Sequence, residues 1–340
     1  MRTKFILLLV LFLLVFAAFG AVGCAPTADP PPPDENGEED DEDEPPPPPD
    51  TGPIFITLAS GSPGGAYYPL GAGMAQEISS RVEGVIAQSE STGASVENAR
   101  LVASGQSDMA MAMANIAYNA ILGEVQFEAD GALDQLVALF SMYPAPQHLI
   151  VPANSDIQSV ADLAGKRVSI DAAGSGCAVT SEIILTTAGI WDDVDARNYS
   201  QPEAADALKD GNVDAVFYNF AVGTAIINEI QFTTPIRFIP IEDELLDAII
   251  ADHEYFTKGV IPAGAYTGLE EDVSALTIGN LMLVHRDMDE DLAYEIVKAI
   301  FDEDALFALS RIHPIGGEIS KETGGNTGIP IHPGAARFFQ

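Results

Sequence analysis

The sequence predicts an α/β fold of two lobes with a cleft between them, on three observations. Short apolar runs of strand length alternate with amphipathic runs of helix length, an order that implies mainly parallel sheets covered on both faces. The alternation runs from Ile54 and then begins again near His148 with fresh elements. The stretch from Ile54 to Gln340 is too long for one small core and suits two.

The elements follow in order. "IFITLA" (54–59) is a strand, and Leu70, Met74 and Ile78 then recur at helical spacing. "GVIAQSE" (84–90) is a second strand, and "SVENARLVASG" (95–105) a helix that stops at Gly105. "DMAMAMA" (108–114) reads as a buried strand, and "NIAYNAIL" starts the next helix. In the second set, "HLIVPA" (148–153) is a strand, and "SVADLAGKRVSI" gives a short helix, a stop at Gly165 and a strand through Ile170. "CAVTSEIILTTAGI" (177–190) is a helix, "EAADALKDG" another, and "VDAVFYN" (213–219) a strand. "AVGTAIINEI", "IRFIPI" and "EDELLDAIIADH" complete this set. The alternating run "LTIGNLMLVHR" (276–286) and the helix "DEDLAYEIVKAIFD" come last.

This pattern divides the chain. Residues 1–24 carry Arg2 and Lys4, then an uncharged apolar run from Phe5 to Phe19, then "AVGC" ending at Cys24. That is a secretory signal ending in a bacterial lipobox, with Cys24 lipidated and Ala21 where leucine is commoner; an uncleaved anchor is the alternative reading. Residues 25–53 are an acidic, proline-rich tether without the apolar residues a core needs, and are expected to be disordered. The first lobe begins at 54–145, the second spans 146–268, and 269–340 returns to the first. The hinge strands fall near 141–150 and 270–285.

Composition excludes several classes of function. The net charge is −36, and the tether, with eleven acidic and no basic side chains, explains only part of it. Residues 54–340 keep a net charge of −27, the wrong sign for nucleic acid. Cys24 and Cys177 are the two cysteines, so no disulfide framework is available. The five histidines show no metal-ligand spacing. No hydrolytic triad or Walker loop is visible, so no catalytic residue, metal or cofactor is expected.

Three loops end strands and run into helices: "SGSPGGAYYPL" (60–70), "SESTGAS" (89–95) and "DAAGSGCAVT" (171–180). Open sheets bind ligands at such carboxyl ends. A helix N-terminus offers unpaired N–H groups and partial positive charge, glycines let a ligand approach the backbone, and Ser or Thr hydroxyls add donors. An acidic protein could thus hold a carboxylate without basic side chains. Singly, each loop also reads as an ordinary cap or turn. Together, the same chemistry at three equivalent places points to a site.

At these residues the chain resembles a known family. "SGSPGGAYYPLGAGMAQEI", "STGASVENARLVASGQSDMAMAMANIAYNA", "LAGKRVSIDAAGSG" and "IPIHPGAARFF" are similar to the TAXI solute receptors of TRAP transporters, over residues 54–340 and in the same order. The resemblance implies a two-lobed, type II periplasmic-binding-protein-like fold with a hinge and an interlobe cleft. It implies a monomeric extracytoplasmic receptor, not an enzyme, that captures a small carboxylate such as glutamate, glutamine or a 2-oxoglutarate-like acid. The partners implied are the TRAP-type permease subunits, to which the ligand is delivered, and the membrane through the lipid anchor.

The family's motifs map onto Gly64, Gly65, Ala66, Tyr67 and Tyr68, onto Ser91, Thr92, Gly93 and Ser95, and onto Gly174, Ser175 and Gly176. Cys177 stands where threonine is usual and Asn115 where aspartate is common. The candidate ligand-binding set is Ser62, Gly64, Gly65, Tyr67, Ser91, Thr92, Ser95, Asn115, Gly174, Ser175, Gly176 and Cys177, with Tyr218 and Asn219 at the end of strand 213–219. Of the two tyrosines, Tyr67 is expected to reach the site. Other readings are an enzyme on the same fold with Cys177 as nucleophile, or a surface sensor without transport. The first lacks an identifiable base beside Cys177.

Overall fold

A computed structural model describes residues 52–63 and 65–340. The expectations for the signal, for Cys24, for all but the last two residues of the tether and for Gly64 lie outside the described residues. No helix among the described residues is long and apolar enough to cross a membrane.

The first sheet is built on β1 (Ile54–Ala59), which pairs in parallel with β2 (Val85–Glu90) and β3 (Met109–Met113). Right-handed crossovers need a helix between parallel neighbours; α1 (Tyr67–Arg81) and α2 (Ser95–Ala103) fill those places. α1 buries Leu70, Met74 and Ile78 against the sheet, each worth roughly 2 kcal/mol. After α3 (Ala114–Leu122) the chain enters β4 (Leu136–Pro152), a strand of 17 residues.

The second sheet holds β5 (Arg167–Ser169), α4 (Gly176–Thr187), β6 (Asp195–Arg197), α5 (Gln201–Lys209) and β7 (Ala215–Asn219). It continues with α6 (Ala225–Thr233), β8 (Ile236–Phe238) and α7 (Asp243–Asp252), after which β9 (Phe256–Ile261) pairs with β10 (Val273–His285) of the first sheet. β10 is followed by α8 (Glu290–Ile300), α9 (Glu303–Ile312), α10 (Lys321–Gly324) and α11 (Pro333–Phe339). The strand order is β2-β1-β3-β10-β4-β7-β5-β6, with β8 beside β4 and β9 beside β10.

The long strand β4 therefore joins the two sheets, with β10 running beside its first part. Leu136–Pro146 of β4 runs antiparallel to β10, whereas Gln147–Ile150 pairs with β7 of the other sheet. β10 pairs through Asn280–Val284 with β3 and through Val273–Ile278 with β9. The β4–β10 ladder is irregular at Asn280/Leu281 and Met282/Leu283, where bulges bend it. This is the two-lobed, type II arrangement with mixed sheets and an interlobe cleft.

The structure corrects several expected elements. The strand expected at 148–153 is only the end of β4; Pro144 and Pro146 interrupt its pattern in sequence but sit within the ladder to β10. The short helix before Gly165 is a 3₁₀ turn, Val160–Leu163, closed by a capping box from Ser159 and Asp162. β9 was not expected, because "FTKGVI" leaves only Phe256 and Ile261 buried. "IHPGAARFF" closes the first lobe: His332 Nδ1 accepts the Gly334 N–H, its Nε2–H donates to the Met288 carbonyl, and the Phe339 ring meets Phe301 edge-on.

Candidate ligand-binding site

The three strand-end loops meet across the cleft around a cavity of about 70 Å³. Each is fixed by a local device. Asn98, fully buried on α2, donates from Nδ2 to the Ser60 and Met111 carbonyls at 2.7 Å, tying the ends of β1 and β3 together. Its Oδ1 accepts the Thr92 hydroxyl at 2.7 Å, while Thr92 Oγ1 accepts the Ala94 N–H. Ser91 donates to the Gly61 carbonyl at 3.0 Å. Ser91 and Thr92 thus brace the first and second loops, and neither lines the cavity.

Two helix N-termini face the cavity from opposite lobes. α4 is capped by Ser175, whose Oγ accepts the Ala178 N–H at 3.1 Å. The N–H groups of Gly176 and Cys177 precede the first intrahelical acceptor and lie in the cavity wall. α2 begins at Ser95, whose hydroxyl accepts the Met113 N–H at 3.1 Å; the next N–H, of Val96, donates across the cleft to the Gly174 carbonyl at 3.2 Å. Gly174 adopts φ 80°, the left-handed turn that glycine makes without strain.

The lobes approach too closely for side chains at two points. A β-carbon on Gly65 would lie 2.6 Å from Gln201 Oε1, and one on Gly176 would lie 3.0 Å from Ser95 Oγ and overlap Met113. Glycine at 176 leaves room for this approach, whereas at 65 the atom met is the mobile end of the Gln201 side chain. Two non-glycine residues of the wall, Ala94 (φ 72°) and Asp171 (φ 79°), hold left-handed backbone, a strain typical of ligand clamps.

Ser62, Gly65, Tyr67, Ser95, Ser175, Gly176, Cys177 and Asn219 of the sequence-derived set line the cavity together. The Tyr67 hydroxyl donates to Asn280 Oδ1 on β10, and burial pushes its pKa up. Cys177 is buried, and desolvation followed by the nearby Asp171 charge raises its thiol well above the ordinary value. Asn219 donates to the Ala145 carbonyl of β4 at 3.2 Å. Three others lie behind the wall. Asn115 is fully buried, with Nδ2 3.4 Å from the Thr180 hydroxyl. Tyr218 donates to the Gln201 carbonyl at 3.1 Å and stacks on Phe220. Gly174 acts through its carbonyl, as above.

Sequence reasoning missed Asp171, Gln201, Tyr143 and Asn280, all in the wall. Asp171 was inside the quoted third loop, but an acid does not fit a search for anion donors. The other three come from elements whose approach depends on tertiary packing. Among the described wall residues, Asp171 carries the only ionisable carboxyl, and no lysine, arginine or histidine is present. Burial raises its pKa to about 6, opposed by the Ala172 N–H, the Gln201 amide and the Cys177 thiol.

The NMT1-like family profile matches residues 58–340. Among solved structures, the periplasmic aliphatic sulphonate-binding protein SsuA from Escherichia coli is 16% identical, over 76% of this chain and 79% of that one, with a TM-score of 0.46. A putative L-cystine ABC transporter protein from Listeria monocytogenes is 15% identical, over 79% and 99%, with a TM-score of 0.49. The alkanesulfonate-binding protein SsuA from Xanthomonas axonopodis, bound to MOPS, is 15% identical, over 85% and 84%, with a TM-score of 0.46.

Proposed function

We propose that this chain, which belongs to the NMT1-like family, captures a small carboxylate outside the cytoplasmic membrane and, on the TAXI resemblance of its loops, hands it to a TRAP-type permease. The chain is a binding protein of a transport system and not an enzyme. One observation carries the carboxylate reading: the N-termini of α2 and α4, from opposite lobes, face one cavity whose described wall has no basic side chain. Peptide dipoles and unpaired N–H groups then supply the stabilisation that lysine or arginine would supply elsewhere.

Closure is part of this reading. Gly65 meets Gln201 and Gly176 meets Ser95 only with the lobes together, so a bound acid bridges donors that are separated in an open form. Met113, Ala145 and Phe220 form an apolar part of the wall for the rest of the ligand. Delivery to a TRAP permease, and an acid of the glutamate, glutamine or 2-oxoglutarate kind, rest on the TAXI resemblance of the loops. The signal and lipobox at Cys24 support tethering to the outer face of the membrane by residues 25–53.

A thermal-shift panel on the full-length protein tests the reading, using glutamate, glutamine, 2-oxoglutarate, C4 dicarboxylates, aromatic acids and fatty acids. A ligand at a hundredfold over its Kd adds roughly 2.7 kcal/mol, a rise of about 5 °C for a protein of this size. The expected result is such a rise with a small carboxylate, abolished by Gly65→Val. Folded, ligand-free protein that shifts with none of them contradicts the carboxylate reading.

A further inference from the structure

We infer that the ligand carries an ammonium group beside its carboxylate, that is, that it is an α-amino acid zwitterion, and that Asp171 accepts the ammonium group. The inference rests on the carboxylate reading of the same cavity and narrows it.

Asp171 is 4% exposed, lines the cavity, and belongs to none of the ion pairs among the described residues. Its neighbours hold it as an acceptor. Oδ1 takes the Ala172 N–H at 2.7 Å, Oδ2 takes the Gln201 amide at the long distance of 3.4 Å, and the Cys177 thiol lies alongside. These donors are all neutral. A turn-stabilising role explains the bond from Oδ1 to Ala172, and an asparagine would make that bond equally well. It does not explain a full charge in a dry wall, where an unpaired carboxylate is strongly unfavourable. Gln201 Oε1, also in the wall, is buried without a partner and is a second acceptor for an N–H donor from the ligand.

The charge balance decides between ligand classes. A 2-oxo acid or simple carboxylate would bring a second negative charge into the cavity that holds Asp171. A like charge held in the same cavity opposes binding, and the expected loss is about tenfold or more. A zwitterion adds no net charge: its carboxylate meets the helix N-termini and its ammonium meets Asp171. The titratable groups facing Asp171 are Cys177 on α4 and Tyr218 on β7, both held neutral near pH 7 because burial raises them. Asp171 alone therefore sets the sign of the pH response.

Isothermal titration of the full-length protein tests this with the proteinogenic L-amino acids and, for each, its 2-oxo acid and its decarboxylated amine. The expected result is an amino acid bound about tenfold or more tightly than its 2-oxo acid. Its affinity should fall as the pH drops through about 6, where Asp171 takes up a proton. Asp171→Asn should bring the two ligands to within about threefold. A 2-oxo acid bound as tightly as the amino acid, or an amino acid whose binding tightens as the pH falls, overturns the inference and leaves the carboxylate reading intact. So does an Asp171→Asn protein that keeps the preference. An amine bound as tightly as its amino acid overturns the carboxylate reading as well, and so does a panel in which nothing binds. The wild-type affinity ratio and the sign of its pH dependence decide the matter even where the variant does not fold.

Discussion

The Cα of Gly176 faces Ser95 so closely that a β-carbon there would lie 3.0 Å from Ser95 Oγ and 2.9 Å from Met113 Cγ. Gly176 begins α4 and Ser95 begins α2, so two helix N-termini from different sheets meet head to head with one missing side chain between them. Contact this close requires the two N-termini to be held together.

Gly176→Ala should therefore separate closure from folding. Alanine in the first turn of a helix is at least as favourable as glycine for the isolated element. The clash falls only on the closed state. Expected is near-normal urea stability without ligand, and a loss of affinity of about tenfold or more. Equal affinity in calorimetry would mean that the ligand is held with the lobes apart.

Asp171→Asn should stabilise the ligand-free protein while weakening it as a receptor. The carboxyl has its ordinary value near 3.8 when unfolded and about 6 when folded. The folded state therefore binds the extra proton between these values, so its contribution to stability is fully present below 3.8 and lost as pH rises through about 6. Asparagine tolerates the left-handed backbone and removes the charge. The variant should gain up to about 3 kcal/mol at neutral pH and almost nothing near pH 4. Denaturation at both pH values checks this; a gain that does not depend on pH would assign it to the backbone instead.

Ala94 sits at φ 72°, ψ −146°, a region that glycine enters freely and alanine does not. Ala94→Gly relieves strain of about 1–3 kcal/mol and restores some freedom to the unfolded chain. A net gain of about 1 kcal/mol in urea denaturation is expected. A clear loss of stability would show that the Ala94 methyl does more for the wall than its backbone strain removes.

Cys177 should resist alkylation at neutral pH. Its thiol is 4% exposed, and burial with the Asp171 charge keeps it protonated, whereas the thiolate is the reactive form. Labelling by iodoacetamide in native buffer should be far slower than in denaturant. Native labelling as fast as in denaturant would contradict the closed wall described above.

The local alternation of apolar runs made most of the elements legible, since Leu70, Met74 and Ile78 or Ala293, Ile296, Val297 and Ile300 need only one face of one helix. The long crossing strand β4 was not legible over its first two thirds, because Pro144 and Pro146 sit in its middle and its pairing with β10 is more than a hundred residues away. In the site, the glycine and serine loops announced themselves by type. Asn98, Gln201 and Asn280 did not: an amide in a helix or strand has no distinctive neighbours in sequence. Its role comes from three-dimensional partners such as Met111, Gly65 and Tyr67. Asp171 was hidden by its sign, since a negative residue argues against an anion site until its partner in the ligand is considered.

The most direct test of the central claim is a crystal structure of the full-length protein with the tightest-binding carboxylate from the thermal panel. The expected result is the acid in the interlobe cavity, with its carboxylate oxygens accepting the N–H of Gly176 or Cys177 and lying beside Ser95. A ligand bound outside this cavity, or inside it with the carboxylate turned away from the α4 N-terminus, would contradict it.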